Sequence, residues 1–292
     1  MASTERRPDL RPILGLAPPD AEALAPLSVE AGWNQVAADW RFMLEQGCGF
    51  GVRGADGRWA GSALIFPLGP AIAWISMVLV TQTERGQGLG SRLLARCIDE
   101  ARARGWVAGL DATEFGRPVY LPLGFRDVYA LSRWRVPGGG MAVGDMPGLR
   151  VRSLERSDIP ALAAYDTPAS GFARADMLAH LLARAPRSAF GAFTSDGSLR
   201  GYVLGRDGLR APQVGPLIAD DAIVAQALAA RALATVGTEA VIDVPDGHAG
   251  LCDWLRARGG NPVRHFMRML LSESSVADSI DRVHALAGPE LA

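Results

Sequence analysis

Apolar and polar positions along this chain fall into patterns that change character every ten to fifteen residues. Ile72 to Val80 is an apolar run broken only by Ser76, which predicts a buried strand. Immediately downstream, Leu89, Leu93, Leu94, Cys97, Ile98 and Ala101 recur at helical spacing, with Asp99, Glu100, Arg102 and Arg104 on the other side. That predicts an amphipathic helix, ended by Gly105 as a left-handed cap. Upstream, AEALAPLSVEAGW reads as a helix with Asp20 as N-cap. After a break at Trp33-Asn34-Gln35, VAADWRFMLEQG reads as a second helix stopped by Gly47. CGFGVRG and RWAGSALIF predict two strands joined by a turn at Asp56-Gly57. Beyond the amphipathic helix come a strand in VAGLD, a short helix over 116–123, and a closing strand pair or hairpin in FRDVYALSRWRV.

The pattern then begins again. Residues 137–148, PGGGMAVGDMPG, have the composition of a linker. Past them, FGAFTSDGSLRG at 190–201 aligns without a gap on FGVRGADGRWAG at 50–61. VGPLIADDAIVAQALAARAL stands where the apolar strand, its loop and its helix stood, and AVIDV echoes VAGLD. The expectation is two tandem α/β domains, 1–140 and 148–292, the second a degenerate copy ending in a short helical tail over 274–292.

Composition narrows the function classes. Thirty basic residues against thirty-one acidic ones leave almost no net charge, and no basic stripe interleaved with aromatics argues for a nucleic-acid partner. MASTERRPDLRP has no apolar h-region and the residues before Arg11 read as a disordered leader. The apolar runs are too short to span a membrane, so no membrane partner and a cytoplasmic location are expected. Three dispersed cysteines and four histidines without ligand spacing predict neither a disulfide framework nor a metal site.

Chemistry concentrates between the apolar strand and the amphipathic helix, at Arg85-Gly86-Gln87-Gly88-Leu89-Gly90 and the following Ser91. Glycines let the backbone turn sharply and approach a bulky ligand. A helix's first turn presents unpaired N–H groups and partial positive charge, which suit a phosphate or pyrophosphate. Arg85 adds a forked donor. The run is neither a Walker A loop nor GxGxxG.

Arg85-x-x-Gly88-x-Gly90 after a strand resembles the acyl-CoA pyrophosphate loop of the GNAT superfamily of N-acetyltransferases. LDATEFGRPVYLPLGF, from Leu110 to Phe125, is similar to that superfamily's next strand and helix, with its Tyr-x-x-x-Gly-Phe ending. The resemblance covers roughly residues 13–136. It implies a mixed, mostly antiparallel sheet with splayed central strands flanked by helices. It also implies that backbone groups of Val78, Leu79 and Val80 pair with the pantetheine amides. The thioester oxygen would be held by an N–H of Val78 or Leu79, and Tyr120 would serve as general acid to the CoA thiolate. Where the superfamily often has an asparagine, seven residues before the tyrosine, this chain has Thr113.

For the general base the candidates are Glu30, Asp111 and Glu114, with Glu30 placed first because it leads into the segment that roofs the acceptor site in GNAT folds. Asp111 has an echo in Asp243, which favours a structural role. Trp33 and Asn34 are expected to line the acceptor pocket, Trp40 to pack, and Phe172 or Arg174 to offer a wall. In the second copy Asp220 and Asp221 replace the glycines and arginine of the loop, and 255–260 lacks the tyrosine, so no acyl-CoA is expected there. The expected activity is transfer of an acetyl group from acetyl-CoA, a co-substrate, to the primary amine of a small molecule in a ternary complex. A non-catalytic acyl-CoA sensor is the alternative, and a homodimer is one option for assembly.

Overall fold

The structure, a computed structural model, describes residues 11–139, 148–272 and 280–292. The leader before Arg11 and most of the linker fall outside the described residues. The chain packs as two compact units: residues up to Pro67 with Ala71–Gly109, and Leu68–Pro70 with Leu110–Ala292. By sequence repeat the chain divides near residue 140, whereas by packing it divides inside a strand, for the reason given below.

The first unit runs β1 (Leu14–Leu16), α1 (Ala21–Ala31), α2 (Ala37–Gln46), β2 (Cys48–Arg53), β3 (Trp59–Pro67), β4 (Ile72–Val80), α3 (Leu89–Arg104) and the first residues of β5 (Val107–Thr113). Its strands lie in sequence order, antiparallel up to β4, which then pairs in parallel with β5. Trp40, Trp74, Leu64, Ile65, Leu93, Leu94 and Cys97 are buried. The apolar stripe of α3 approaches β3 closely at Gly61, where a Cβ would stand 3.1 Å from Leu93 Cδ1 and 3.2 Å from Leu89 Cδ2. Gly32 and Gly105, with φ of 71° and 69°, end α1 and α3 as left-handed caps.

The second unit continues from Leu110 through α4 (Arg117–Tyr120), β6 (Arg126–Pro137), β7 (Leu149–Ser153), α5 (Ile159–Ser170), α6 (Ala175–Arg184), β8 (Phe190–Thr194), β9 (Leu199–Arg206), β10 (Gln213–Ala219), α7 (Ala222–Leu233), β11 (Glu239–Pro245), α8 (Ala249–Ala257), β12 (Asn261–Leu271) and β13 (Val283–Ala285). Its strand order is β5-β12-β6-β11-β10-β9-β8-β7. Trp134, Val136, Leu228, Leu233, Ile242 and Leu255 form its apolar centre.

Two expectations are corrected here. FRDVYALSRWRV is one long strand, β6, not a pair or hairpin, and its partners come from the second repeat: β11 on one side and β12 on the other. β12 in turn lies between β5 and β6, so the repeats have exchanged strands. The exchange is pseudo-symmetric about the pair Leu131↔Phe266, with Tyr129↔Arg268 on one side and Arg133↔Arg264 on the other. It also repeats chemically. Arg268 of β12 holds Asp111 of β5 with two contacts of 2.9 Å, and Arg133 of β6 holds Asp243 of β11 with two of 2.8 Å. All four side chains are nearly sealed from water, where a carboxylate is tolerated only with such a forked partner.

The second correction concerns the tail. Residues 280–292 are turns and strand rather than helix: β13 pairs antiparallel with β10, and Leu286 bridges to Asp243 of β11. The physical reason is an opening in the sheet. β10 and β11 pair only through Gln213↔Val241 and Val214↔Ile242. The backbone groups freed where they part need partners, and the tail supplies them.

Candidate active site

The loop leaving β4 makes a 3-10 turn over Gln82–Glu84 and then passes through Gly86 and Gly88, at φ of 78° and 79°. Both are left-handed, a conformation that costs glycine nothing. Gly88 is the N-cap of the sixteen-residue helix α3, whose first turn has no side-chain cap and no acidic residue. Its leading N–H groups therefore lack partners within the helix, and the dipole stays uncompensated. Gly86, Gln87, Gly88 and Ser91 are exposed, Gly90 is partly covered, and Leu89 is buried as the anchor of the turn. Arg85 donates from Nε to Val80 O at 3.0 Å, which leaves its two terminal nitrogens without a hydrogen-bond partner among the described residues. Arg11 clamps the turn from below through Glu84, at 3.0 and 2.9 Å.

The strand before this loop is irregular. Ser62 faces Leu79 and Leu64 faces Ser76, so Met77 and Val78 together oppose Ala63 in a β-bulge. Met77 takes φ 52°, which is strained for a residue with a long side chain, and its carbonyl is pinned by Ser62 Oγ at 2.8 Å. Because β4 pairs with β5 only from Ile72 to Trp74, residues 75–80 have no ladder partner on that side among the described residues. Thr81 N bonds Ala60 O across β3, so alternation turns Leu79's backbone toward β3 and those of Val78 and Val80 toward the open edge. Of the two amides considered for the thioester oxygen, Val78's is the one on the open side.

Tyr120 belongs to the second unit, at the end of α4. The loop is built for it: Gly116 N bonds both the carbonyl and the hydroxyl of Thr113, and Tyr120 N bonds Gly116 O at 3.2 Å. Thr113 thus holds the turn. A Cβ on Gly116 would sit 2.9 Å from Tyr120 Cε2, so the tyrosine ring needs glycine there. The ring packs against Phe125 at 5.9 Å between centroids. It is half-buried, its hydroxyl has no hydrogen-bond partner among the described residues, and burial pushes its pKa up to about 12. Phe115, Val119, Leu121 and Leu123 of the same loop expose apolar side chains.

Other predicted residues sort differently. Glu30 Oε1 accepts from Gln82 N at 2.5 Å and so holds the turn that enters the glycine loop. Trp33 is half-buried in the break between α1 and α2, its backbone N–H donating to Ser28 O at 2.9 Å, and Asn34 beside it is buried. Trp40 is fully buried, its indole donating to Ser28 Oγ at 3.0 Å. Asp111 is committed to Arg268, and Glu114 is exposed in a turn. Phe172 and Arg174 are both buried, and Arg174 spends its guanidinium on Asp166 and Ala292 O. The bulge at Met77 had no signal in the sequence.

The second copy closes every feature that the first leaves open. Only Asp220 and Asp221 separate β10 from α7, and Asp221 Oδ1 accepts from Ile223 N and Val224 N at 2.9 Å each, capping the helix. Asp220 takes Arg200, Arg282 and the Tyr165 hydroxyl. The free edge of β10 is covered by β13, through Leu217↔Ala285 and Ile218↔Val283. The tail lies so close that a Cβ on Gly215 would stand 2.0 Å from Leu286 O. Among the described residues no group of histidine, cysteine and carboxylate side chains has metal-binding geometry, and no helix is long and apolar enough to cross a membrane.

Comparison with known proteins agrees with this duplicated geometry. The acetyltransferase (GNAT) family pattern matches residues 14–125, and an acetyltransferase (GNAT) domain pattern matches 162–285. An uncharacterised N-acetyltransferase of Bacillus subtilis, YitH, is 26% identical over 231 residues, covering 79% of this chain and 80% of the relative. Among solved structures, a putative acetyltransferase from Pyrococcus horikoshii superposes with a TM-score of 0.78 at 19% identity, over 99% of each chain. A tandem GNAT protein from the clavulanic acid biosynthesis pathway superposes with a TM-score of 0.60 at 16% identity, over 90% of this chain and 99% of the other.

Proposed function

Starting from the fact that this chain is a tandem member of the GNAT acetyltransferase family, and so an acyltransferase, we propose that it moves an acetyl group from acetyl-CoA to the primary amine of a small molecule. The observation that carries the reading is the first turn of α3: left-handed glycines at its entry, no capping carboxylate, and N–H groups turned out beside Arg85. That arrangement suits a pyrophosphate. Residues 85–91 would hold the diphosphate, and the open groups of Val78 and Val80 would pair with the pantetheine amides.

In the reaction the neutral amine attacks the thioester carbonyl carbon while both substrates are bound. The Val78 N–H stabilises the oxygen as it gains charge, a role in which one donor is worth about 10²–10³ in rate. The C–S bond then breaks, and the Tyr120 hydroxyl gives its proton to the departing thiolate. A phenol with pKa near 12 is still fully protonated at neutral pH, and a thiolate leaving with pKa near 8.5 is the weaker base. The transfer is therefore effective only in concert with C–S cleavage, with the phenolate reprotonated from solvent. Glu30, through its second oxygen, receives the proton lost by the amine, directly or through water. Trp33 and Asn34 form part of the acceptor's surroundings.

The acceptor's chemistry is tested by thiol release from acetyl-CoA across a panel of amines that includes polyamines, amino sugars and amino acids. Acceptor-dependent release that Tyr120→Phe depresses is the expected result. CoA binding with no turnover on any amine would replace this reading with that of an acyl-CoA sensor.

A further inference from the structure

Strand exchange places a side chain of the degenerate repeat under the loop that carries Tyr120. That loop starts at Thr113, at the end of β5, and finishes at Arg126, at the start of β6, yet these strands are not neighbours: β12 runs between them. The loop therefore bridges the end of a strand contributed by the second repeat. At the crossing, Met269 faces Asp127 and Leu270 faces Arg126, while Leu271 Cδ1 lies 3.2 Å from where a Cβ of Gly124 would be. One register position earlier, Arg268 grips both oxygens of Asp111 at 2.9 Å, two residues before Thr113, and its guanidinium lies 5.2 Å from the Tyr129 ring centroid. Both ends of the loop are thus tied to β12: the β5 end by an ion pair, the β6 end by backbone pairing.

We propose that Arg268 is a positioning residue for the acyl transfer, acting through Asp111 to fix the β5 end of the Tyr120 loop. This rests on the acid role assigned to Tyr120 above. The second repeat thereby serves the reaction through a strand and one guanidinium, without binding acyl-CoA itself. Arg133 and Asp243 repeat the pair where no tyrosine loop follows, so the pair is architectural in both repeats and only the Arg268 copy stands beside such a loop.

Removing one partner alone would strand a buried charge and risk unfolding, so the test replaces both, Asp111→Leu with Arg268→Met, a change that folded proteins accept when volume is kept. In the full-length protein the expected result is an unchanged acetyl-CoA affinity by titration. The kcat for the best amine of the panel should fall at least tenfold, with faster amide hydrogen exchange confined to residues 114–124. Adding Tyr120→Phe to this pair should then cost little, because the acid is already out of place. The inference is overturned if the paired variant keeps its kcat and exchange pattern, or if Tyr120→Phe costs as much in the variant as in the parent. If Tyr120→Phe is silent in the parent, it is the acid assignment itself that fails. A variant that does not fold is replaced by Arg268→Lys, which keeps charge but loses the fork and should give an intermediate kcat; a parental kcat there overturns the proposal.

Discussion

The approach to α3 in the first repeat and the approach to α7 in the second began from one design and now do opposite things. Eight residues with two left-handed glycines lead into α3, and no side chain among the described residues caps its first turn. Two aspartates lead into α7, and one of them caps it. Likewise residues 75–80 of β4 have no partner on one edge among the described residues, while the edge of β10 is taken by the chain's own tail. Unmet hydrogen-bonding capacity is costly, so a fold keeps it only where something else supplies the partner. The first repeat has kept its vacancies; the second has filled each with a piece of itself.

The change with the largest expected effect attacks the open side. Gly88→Asp would give α3 the carboxylate that α7 has, at a position where aspartate also strains the left-handed backbone. CoA affinity should fall at least about 100-fold by titration, from charge repulsion at the helix terminus and the lost approach of the backbone. Unchanged affinity would mean that the two helix entries do not differ in function.

Tyr120→Phe tests the second difference, the tyrosine that 255–260 lacks. Turnover should drop by about 10²-fold, within the range of a lost general acid, with acetyl-CoA affinity preserved. Because burial holds the phenol near 12 rather than about 10, kcat should not decline between pH 9 and 10 through loss of this proton.

On the closed side, His284 of β13 is buried and stacked on His248 at 4.3 Å between ring centroids, and burial first, then His248, lowers its pKa to about 4. An unfolded histidine titrates near 6.5, so between pH 6.5 and 4 the unfolded chain binds the extra proton and stability falls as pH falls. The loss is at most about 3 kcal/mol, and is complete once pH passes below 4. Thermal melts should show this slope, and His284→Phe should flatten it. The smallest effect is the most pointed. Asp220→Gly with Asp221→Gly should cost only a few tenths of a kcal/mol of capping, because glycine is itself a tolerated N-cap, but leave CoA stoichiometry at one per chain, because the tail still covers β10. A stoichiometry of two would show that the aspartates alone had closed the site.

What the sequence disclosed follows from what is local. The strand, glycine loop and helix from Ile72 to Arg104 are fixed by apolar spacing and by glycines at positive φ, and the gap-free match of 50–61 with 190–201 disclosed the duplication. Asp220-Asp221 could be read as a self-satisfied helix start without coordinates. The bulge at Met77 could not, because its cause is a register mismatch with a strand fifteen residues away. Nor could the exchange of β6 and β12: each reads as an ordinary closing strand, and nothing within it says which repeat it will join. The tail misled for a similar reason. Its alanines and leucines favour helix in isolation, and the unpaired edge of β10 decides otherwise. Asp111 and Asp243 were legible as equivalents, but the arginines that hold them are over a hundred residues away in sequence.

The crossed strands also bear on how a duplicated gene ages. A spare copy that had merely lost its ligand could be eroded by successive deletions. Here, erasing it would strip β5 of one neighbour, β12, and leave β6 with two bare flanks, so the first copy cannot keep its fold without strands of the second. Severing the polypeptide between Gly139 and Gly148 should, by the same token, yield two fragments that co-purify as one particle.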